Sequence, residues 1–132
     1  MNVGLDTSVL VRLLMGSPPG QARAALQFLD NLCHSGGKAC VSDLVVAETY
    51  FALQFHYGIA KGDAIAALAA LFSTGEIVAT GQAGRVLTQP GLASAKPGFV
   101  DRLIHAGYLE TEWKMATFER AAGKLLDVIV VK

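Results

Sequence analysis

The chain has 132 residues with 11 basic and 11 acidic side chains, so no overall field marks nucleic acid or an anionic membrane as its partner. Balanced charge still permits a phosphate-bearing ligand, provided that local arginines, a metal or a second chain offset the phosphates. Hydrophobic residues make up 52% and charged ones only 17%, which leaves apolar surface for another protein, either a second copy or a different partner.

Cys33 and Cys40 are the only cysteines and form neither a CxxC nor a His-paired zinc pattern, so reduced thiols are expected. Asp6 and Arg12 interrupt the N-terminal apolar stretch, which argues against a signal peptide. The longest uncharged apolar run, Ala64 to Thr74, is about half of the roughly 20 residues that a membrane span needs. The expectation is a cytoplasmic protein that does not enter the membrane.

In chain order, Val3 to Leu5 predict a short buried strand and Val9 to Met15 a short helix, stopped by Gly16-Ser17-Pro18-Pro19-Gly20. Gln21 to His34 carry Ala22, Ala25, Leu26, Leu29 and Leu32 at helical spacing, and Ser35-Gly36-Gly37 ends that helix. Lys38 to Val41 predict a second strand, and Ser42-Asp43 caps a strongly apolar helix from Leu44 to Tyr57. Asp63 opens another helix through Phe72, and Glu76 to Thr80 predict a third strand. Gln82 to Gln89 predict a short, poor helix weakened by Gly84, then Pro90 to Pro97 a loop and Phe99 to about Glu110 a helix. Trp113 to Phe118 predict a fourth strand, Arg120 to Leu125 a short helix and Val128 to Val131 a final strand. Strands alternating with helices predict one α/β domain over residues 1–132, with a mostly parallel sheet of about five short strands flanked by helices on both faces.

Four acids fall where that fold would use them. Asp6 follows the first strand, at the edge where open α/β sheets bind ligands, with Thr7 or Ser8 able to cap the helix behind it. The alternative is that Asp6 is itself only the N-cap. Glu48 shares a helical stripe with Leu44, Phe51, Ala52 and Phe55, and an ionised carboxylate on an inward apolar face needs a cation, a metal or hydrogen bonds. Its bland alternative is an ion pair with a distant Lys or Arg. Asp101 lies one turn before Ile104, at the edge of an apolar face, or is simply a favourable first-turn charge. Glu119 leaves the fourth strand on the same expected edge as Asp6, or is a helix-start acid paired with Arg120. Asp43, Asp63 and Glu110 fall at helix ends or polar turns and suggest nothing further. Four acids gathered at one sheet edge would repel one another unless a hard divalent cation joined them, typically magnesium or manganese, and such a site serves phosphoryl chemistry.

Gly4-Leu5-Asp6-Thr7-Ser8-Val9-Leu10, Val41 to Glu48, Phe99 to Ile104 and Ala116-Thr117-Phe118-Glu119-Arg120, in this order, resemble the PIN-domain family and within it the VapC-like ribonuclease toxins. The resemblance implies an endoribonuclease dependent on Mg2+ or Mn2+, in which Asp6, Glu48 and Asp101 match the metal-binding acids and Glu119 stands where aspartate is usual. It further implies that Thr7, Ser8 and Thr117 steady the acids by hydrogen bonding, that Arg102 or Arg120 contacts phosphate, and that the metal activates water for in-line attack on an RNA phosphodiester. A homodimer and a cognate antitoxin that covers the acidic site are implied as partners. His105 reads as a surface or core histidine rather than as a base.

A phosphatase of the haloacid dehalogenase type would need a second aspartate where the chain has Ser8, and neither a GxGxxG nor a P-loop motif supports nucleotide binding. The remaining alternative is a PIN-like module without activity that serves binding or scaffolding.

Overall fold

The computed structural model describes Met1–Lys132. Its core is a three-stranded parallel sheet of β1 (Asn2–Gly4), β2 (Lys38–Val41) and β3 (Ile77–Ala79), with β2 in the middle. Val3 stands beside Ala39, and Cys40 beside Val78. Ala39 and Val41 are fully buried, as the inward side chains of a central strand must be. Leu5 and Thr80 each carry the pairing one residue past a strand end, through bonds to Cys40 O and Val41 O.

Two helix pairs make the crossovers. Between β1 and β2 run α1 (Thr7–Met15) and α2 (Pro19–His34), and between β2 and β3 run α3 (Asp43–Phe55) and α4 (Lys61–Ser73). Helix α1 packs on both α2 and α3, α2 covers β2, and α4 lies on α3 and β3. Gly16 ends α1 in the left-handed conformation at φ 66°, returning its N–H to Arg12 O at 2.9 Å; a side chain there would be strained. After β3 come the single turn α5 (Ala83–Val86), a 3-10 turn at Leu92–Ser94, and α6 (Phe99–Glu110). Phe99 anchors α6 edge-on against Tyr50 of α3, with ring centres 5.1 Å apart, and burial of such a ring contributes about 1.5–3 kcal/mol.

Five short parallel strands are present, as the sequence suggests, yet they do not form one sheet. Strand β4 (Met115–Thr117) pairs only with β5 (Val128–Val130), across a 3-10 turn at Arg120–Lys124. Only Met115 of β4 is buried, and neither it nor Ala122 joins the 20-residue main core, so this pair has little apolar area to hold it against the larger sheet. One polar contact ties it back: His105 on α6, 8% exposed, has Nε2 at 2.6 Å from Leu126 O. His105 is therefore a core histidine with its polar atom satisfied.

Asp43 does more than sit at a helix end. Ser42 caps α3 by accepting from Val45 N, while the Asp43 carboxylate turns away and accepts from Gln82 N and Ala83 N, both at 2.9 Å. It thereby satisfies two orphan amides at the start of α5. A Cβ on Gly81 would lie 2.4–2.7 Å from that carboxylate. Asp43→Ala should therefore lower stability by about 1–2 kcal/mol. Gly81→Ala should also destabilise, and the double variant should lose less than the two effects added, because the clash and its target disappear together. Urea unfolding of the four proteins checks this, and strict additivity would contradict it.

Candidate active site

The β1–α1 junction holds the first acid. Asp6 has extended backbone and caps α1: its Oδ1 accepts from Val9 N at 3.1 Å and from the Ser8 hydroxyl at 2.6 Å. The cap is Asp6 itself and not Thr7 or Ser8. Both capping bonds fall on Oδ1, and the residue is exposed. The Ser8 hydroxyl first, and then the Val9 amide, hold the Asp6 carboxyl below its ordinary pKa of 3.8, since both bonds favour the ionised form.

Thr7 faces the other way. Its hydroxyl donates to Oε1 of Glu48 on α3, which fixes the second acid beside the first. The expectation that Glu48 lies on an inward apolar stripe is overturned. The buried face of α3 is Val46, Thr49, Tyr50 and Leu53, whereas Glu48 is exposed beside Leu44 at 78%, Phe51 at 44% and Phe55 at 77%. Helix α3 is apolar on both faces, and the face of Val46, Thr49, Tyr50 and Leu53 is the one that packs inward, with Tyr50 against Phe99 of α6. The Glu48 carboxylate therefore carries no burial penalty. Its claim to a role rests on its neighbours.

Asp101 and Glu119 share a cleft of about 230 Å³ between α6 and the C-terminal strand pair. Glu119 also caps the 3-10 turn, its Oε1 accepting from Ala121 N at 3.2 Å, while its own amide donates to the Thr117 hydroxyl at 3.0 Å. Ile104 joins this cleft to the next. It lines both the Asp101–Glu119 cleft and a groove of about 570 Å³ between α3 and α6 that contains Glu48. The four acids thus follow one another along a continuous surface, from Asp6 through Thr7 to Glu48, and across Ile104 to Asp101 and Glu119.

None of the four forms an ion pair, although the Arg12 guanidinium nearby adds a weak favourable charge at Asp6. The one salt bridge in the chain is Lys114–Asp127 at 3.3 Å, so Glu48 has no ion pair, and Asp101 and Glu119 are not paired with the arginines that follow them. The Arg102 guanidinium is held on backbone carbonyls, with Nε 2.8 Å from Pro97 O and Nη2 3.5 Å from Lys96 O. Neither Arg102 nor Arg120 lines the acid cleft. Arg12, which the sequence presents only as a break in an apolar stretch, lies one turn after Ser8 and opens on the same surface as the acids. Side chains that carry only carboxylate oxygens and lack cationic partners suit a hard divalent cation in their chemistry. They stand as two pairs, and no three His, Cys, Asp or Glu side chains converge closely enough to enclose an ion.

Removal of the Ser8 hydroxyl should be visible at Asp6. Because the folded-state pKa is depressed, the cap contributes its full stability above the ordinary value and loses it as pH falls through the folded value. In Ser8→Ala the Asp6 carboxyl should titrate closer to 3.8 than in the parent, as read by 13C NMR of the side-chain carboxyl, and an unchanged titration would show that Ser8 does not set the charge.

Comparison with known proteins bears on the whole arrangement. Neither a curated protein nor a solved structure matches the chain. The PIN domain family model matches residues 3–125, a span that contains both crossovers, the acid surface and the start of the C-terminal strand pair. By that match this chain belongs to the PIN domain family.

Proposed function

We propose that the chain is a metal-dependent endoribonuclease and the toxin component of a toxin–antitoxin pair. Members of the PIN domain family are generally nucleases, which supplies the reaction class. The observation that carries the finer reading is the run of four exposed acids with no cationic partner. Exposed carboxylates are held by water alone, so these four can turn to a hard divalent cation without giving up an ion pair.

Asp6 and Asp101 would hold the cation, Mg2+ or Mn2+, with Glu48 and Glu119 beside them. When bound, such an ion lowers the pKa of water and stabilises negative charge on the leaving oxygen of a phosphodiester. The chain's own contribution is orientation. Asp6 spends Oδ1 on the α1 cap, Glu48 spends Oε1 on Thr7 and Glu119 spends Oε1 on Ala121 N, so in each the second oxygen is the one available to a cation. Thr7 and Ser8 fix the Glu48 and Asp6 carboxylates by outer hydrogen bonds, and the Thr117 hydroxyl steadies Glu119 through its backbone amide. The depressed pKa of Asp6 extends its ionised range further into acid.

Residues 126–132 lie past the family match, yet Val128–Val130 complete the strand pair that carries Thr117, so we read 1–132 as one domain. The outward row of Leu44, Phe51 and Phe55, with Ile104 across the groove, supports a protein partner on that face: a second copy in the free protein, and an antitoxin segment laid over the acids in the complex. No helix is long and apolar enough to cross a membrane, which suits the cytoplasmic setting proposed here.

Incubation of purified protein with total RNA and manganese, with and without chelator, tests the reading. Asp6→Asn should keep its melting temperature, because asparagine caps a helix as well as aspartate does, while cleavage falls by at least about 100-fold. Asp101→Asn should fall similarly, and Thr7→Val by about 10- to 100-fold. Cleavage indifferent to chelator and to Asp6→Asn would sink the proposal, and no cleavage of any RNA would favour a binding module. For the apolar face, Phe55→Glu should convert a dimer to a monomer in analytical ultracentrifugation at unchanged helicity. Sedimentation identical to the parent would place the partner elsewhere.

A further inference from the structure

The groove between α1 and the C-terminal end of α3 differs from the two that hold Glu48, Asp101 and Glu119, and it shares Ser8 and Arg12 with a neighbouring apolar groove between α1 and α2. It encloses about 540 Å³ and is lined by Thr7, Ser8, Arg12, His56 and Tyr57, among others. The α3–α6 groove that holds Glu48 and the cleft that holds Asp101 and Glu119 contain no Lys, Arg or His in their walls. The chain carries no net charge, so any phosphate backbone laid along the acids must find a local cation.

Arg12 is placed to be that cation. Its Nε donates to Gln21 Oε1 at 2.8 Å and its Nη1 reaches Ser8 O at 3.4 Å, which fixes the guanidinium plane and leaves Nη2 without a partner in the chain. Such a held fork is pre-organised for phosphate oxygens. His56 adds an exposed imidazole, and Tyr57, 41% exposed, adds an aromatic face that packs on no other ring. A basic groove with an aromatic platform is the general recipe for single-stranded nucleic acid. The groove is also continuous with the acids, because Thr7 lines it and donates to Glu48, and Ser8 lines it and donates to Asp6.

We infer that this groove is a binding subsite for the single-stranded RNA that flanks the scissile bond: Arg12, with His56 beside it, takes a backbone phosphate, and Tyr57 stacks on a base. The inference rests on the ribonuclease reading for the identity of the strand, but it concerns binding and not bond cleavage. It gives the strand a path across the molecule, over α1 and the end of α3, while the phosphodiester lies at the acids.

The test measures fluorescence anisotropy of a labelled random-sequence single-stranded RNA of about 12 nucleotides, titrated with the Asp6→Asn protein and with further substitutions in that background. Tyr57→Ala should weaken binding about tenfold and Tyr57→Phe should bind as the parent does, since only the ring face is needed. Arg12→Ala should weaken binding about tenfold and reduce the slope of log affinity against log salt by about one, with Arg12→Lys retaining the slope. Arg23→Ala, which removes an exposed charge on α2 outside every acid-surface groove, should match the parent. Thermal melts confirm that each variant is folded. The inference is overturned if folded Tyr57→Ala and Arg12→Ala proteins bind as the parent does, or if the Asp6→Asn protein binds no RNA. Cleavage by the unmodified protein is read in parallel. Cleavage with indifferent groove variants leaves the nuclease reading standing without the groove, and groove-dependent binding without any cleavage leaves the groove standing without the nuclease.

Discussion

At the junction of β1 and α1, one oxygen of Asp6 accepts from the Ser8 hydroxyl and the Val9 amide, while the hydroxyl between them in sequence, on Thr7, reaches across to Glu48 on α3. Three consecutive residues thus start a helix, set the charge of one carboxylate and orient a second from another element. The turn can do this because β1 ends at the sheet edge and α1 packs on α3, so the first turn of one helix lies beside the middle of the other. Without the cap, α1 would begin with unsatisfied amides, and the strand-to-helix angle that brings Thr7 to Glu48 would loosen.

The second half of the acid surface depends on weaker support. Asp101 is carried by α6, which Phe99 seats firmly in the core, but Glu119 belongs to a strand pair with little buried apolar area of its own. His105, one helical turn from Asp101, ties Leu126 of that pair to α6. Three of the acids are thus carried by elements packed in the main core, and Glu119 alone by the strand pair.

Much of this was legible in the residues. The alternation of apolar runs and breakers places all five strands and the long helices to within a few residues, and Lys38 to Val41 coincides with β2. Asp6, Asp101 and Glu119 stand at element boundaries that sequence can mark, because strand ends and helix starts have local signals. The face of α3 was not legible. Leu44, Phe51 and Phe55 form as good a stripe as Val46, Tyr50 and Leu53, and periodicity cannot say which of two apolar stripes meets the core. The roles of Asp43, Arg12 and Tyr57 were also hidden, since each depends on a partner or a groove far away in sequence: Gln82 and Ala83 for Asp43, Gln21 for Arg12, and the α1 surface for Tyr57. The division into two sheets had no local signal either, because one short parallel strand resembles another whichever neighbour it pairs with.

The central claim is that four exposed carboxylates without ion pairs, on one surface, gather a hard divalent cation. Calorimetric titration of Mn2+ into the RNA-free protein tests it without reference to any substrate. The account predicts saturable binding that weakens at least about tenfold in Asp101→Asn and that raises the melting temperature of the unmodified protein as Mn2+ increases. Absence of saturable binding, or binding of equal strength in Asp101→Asn, would contradict it.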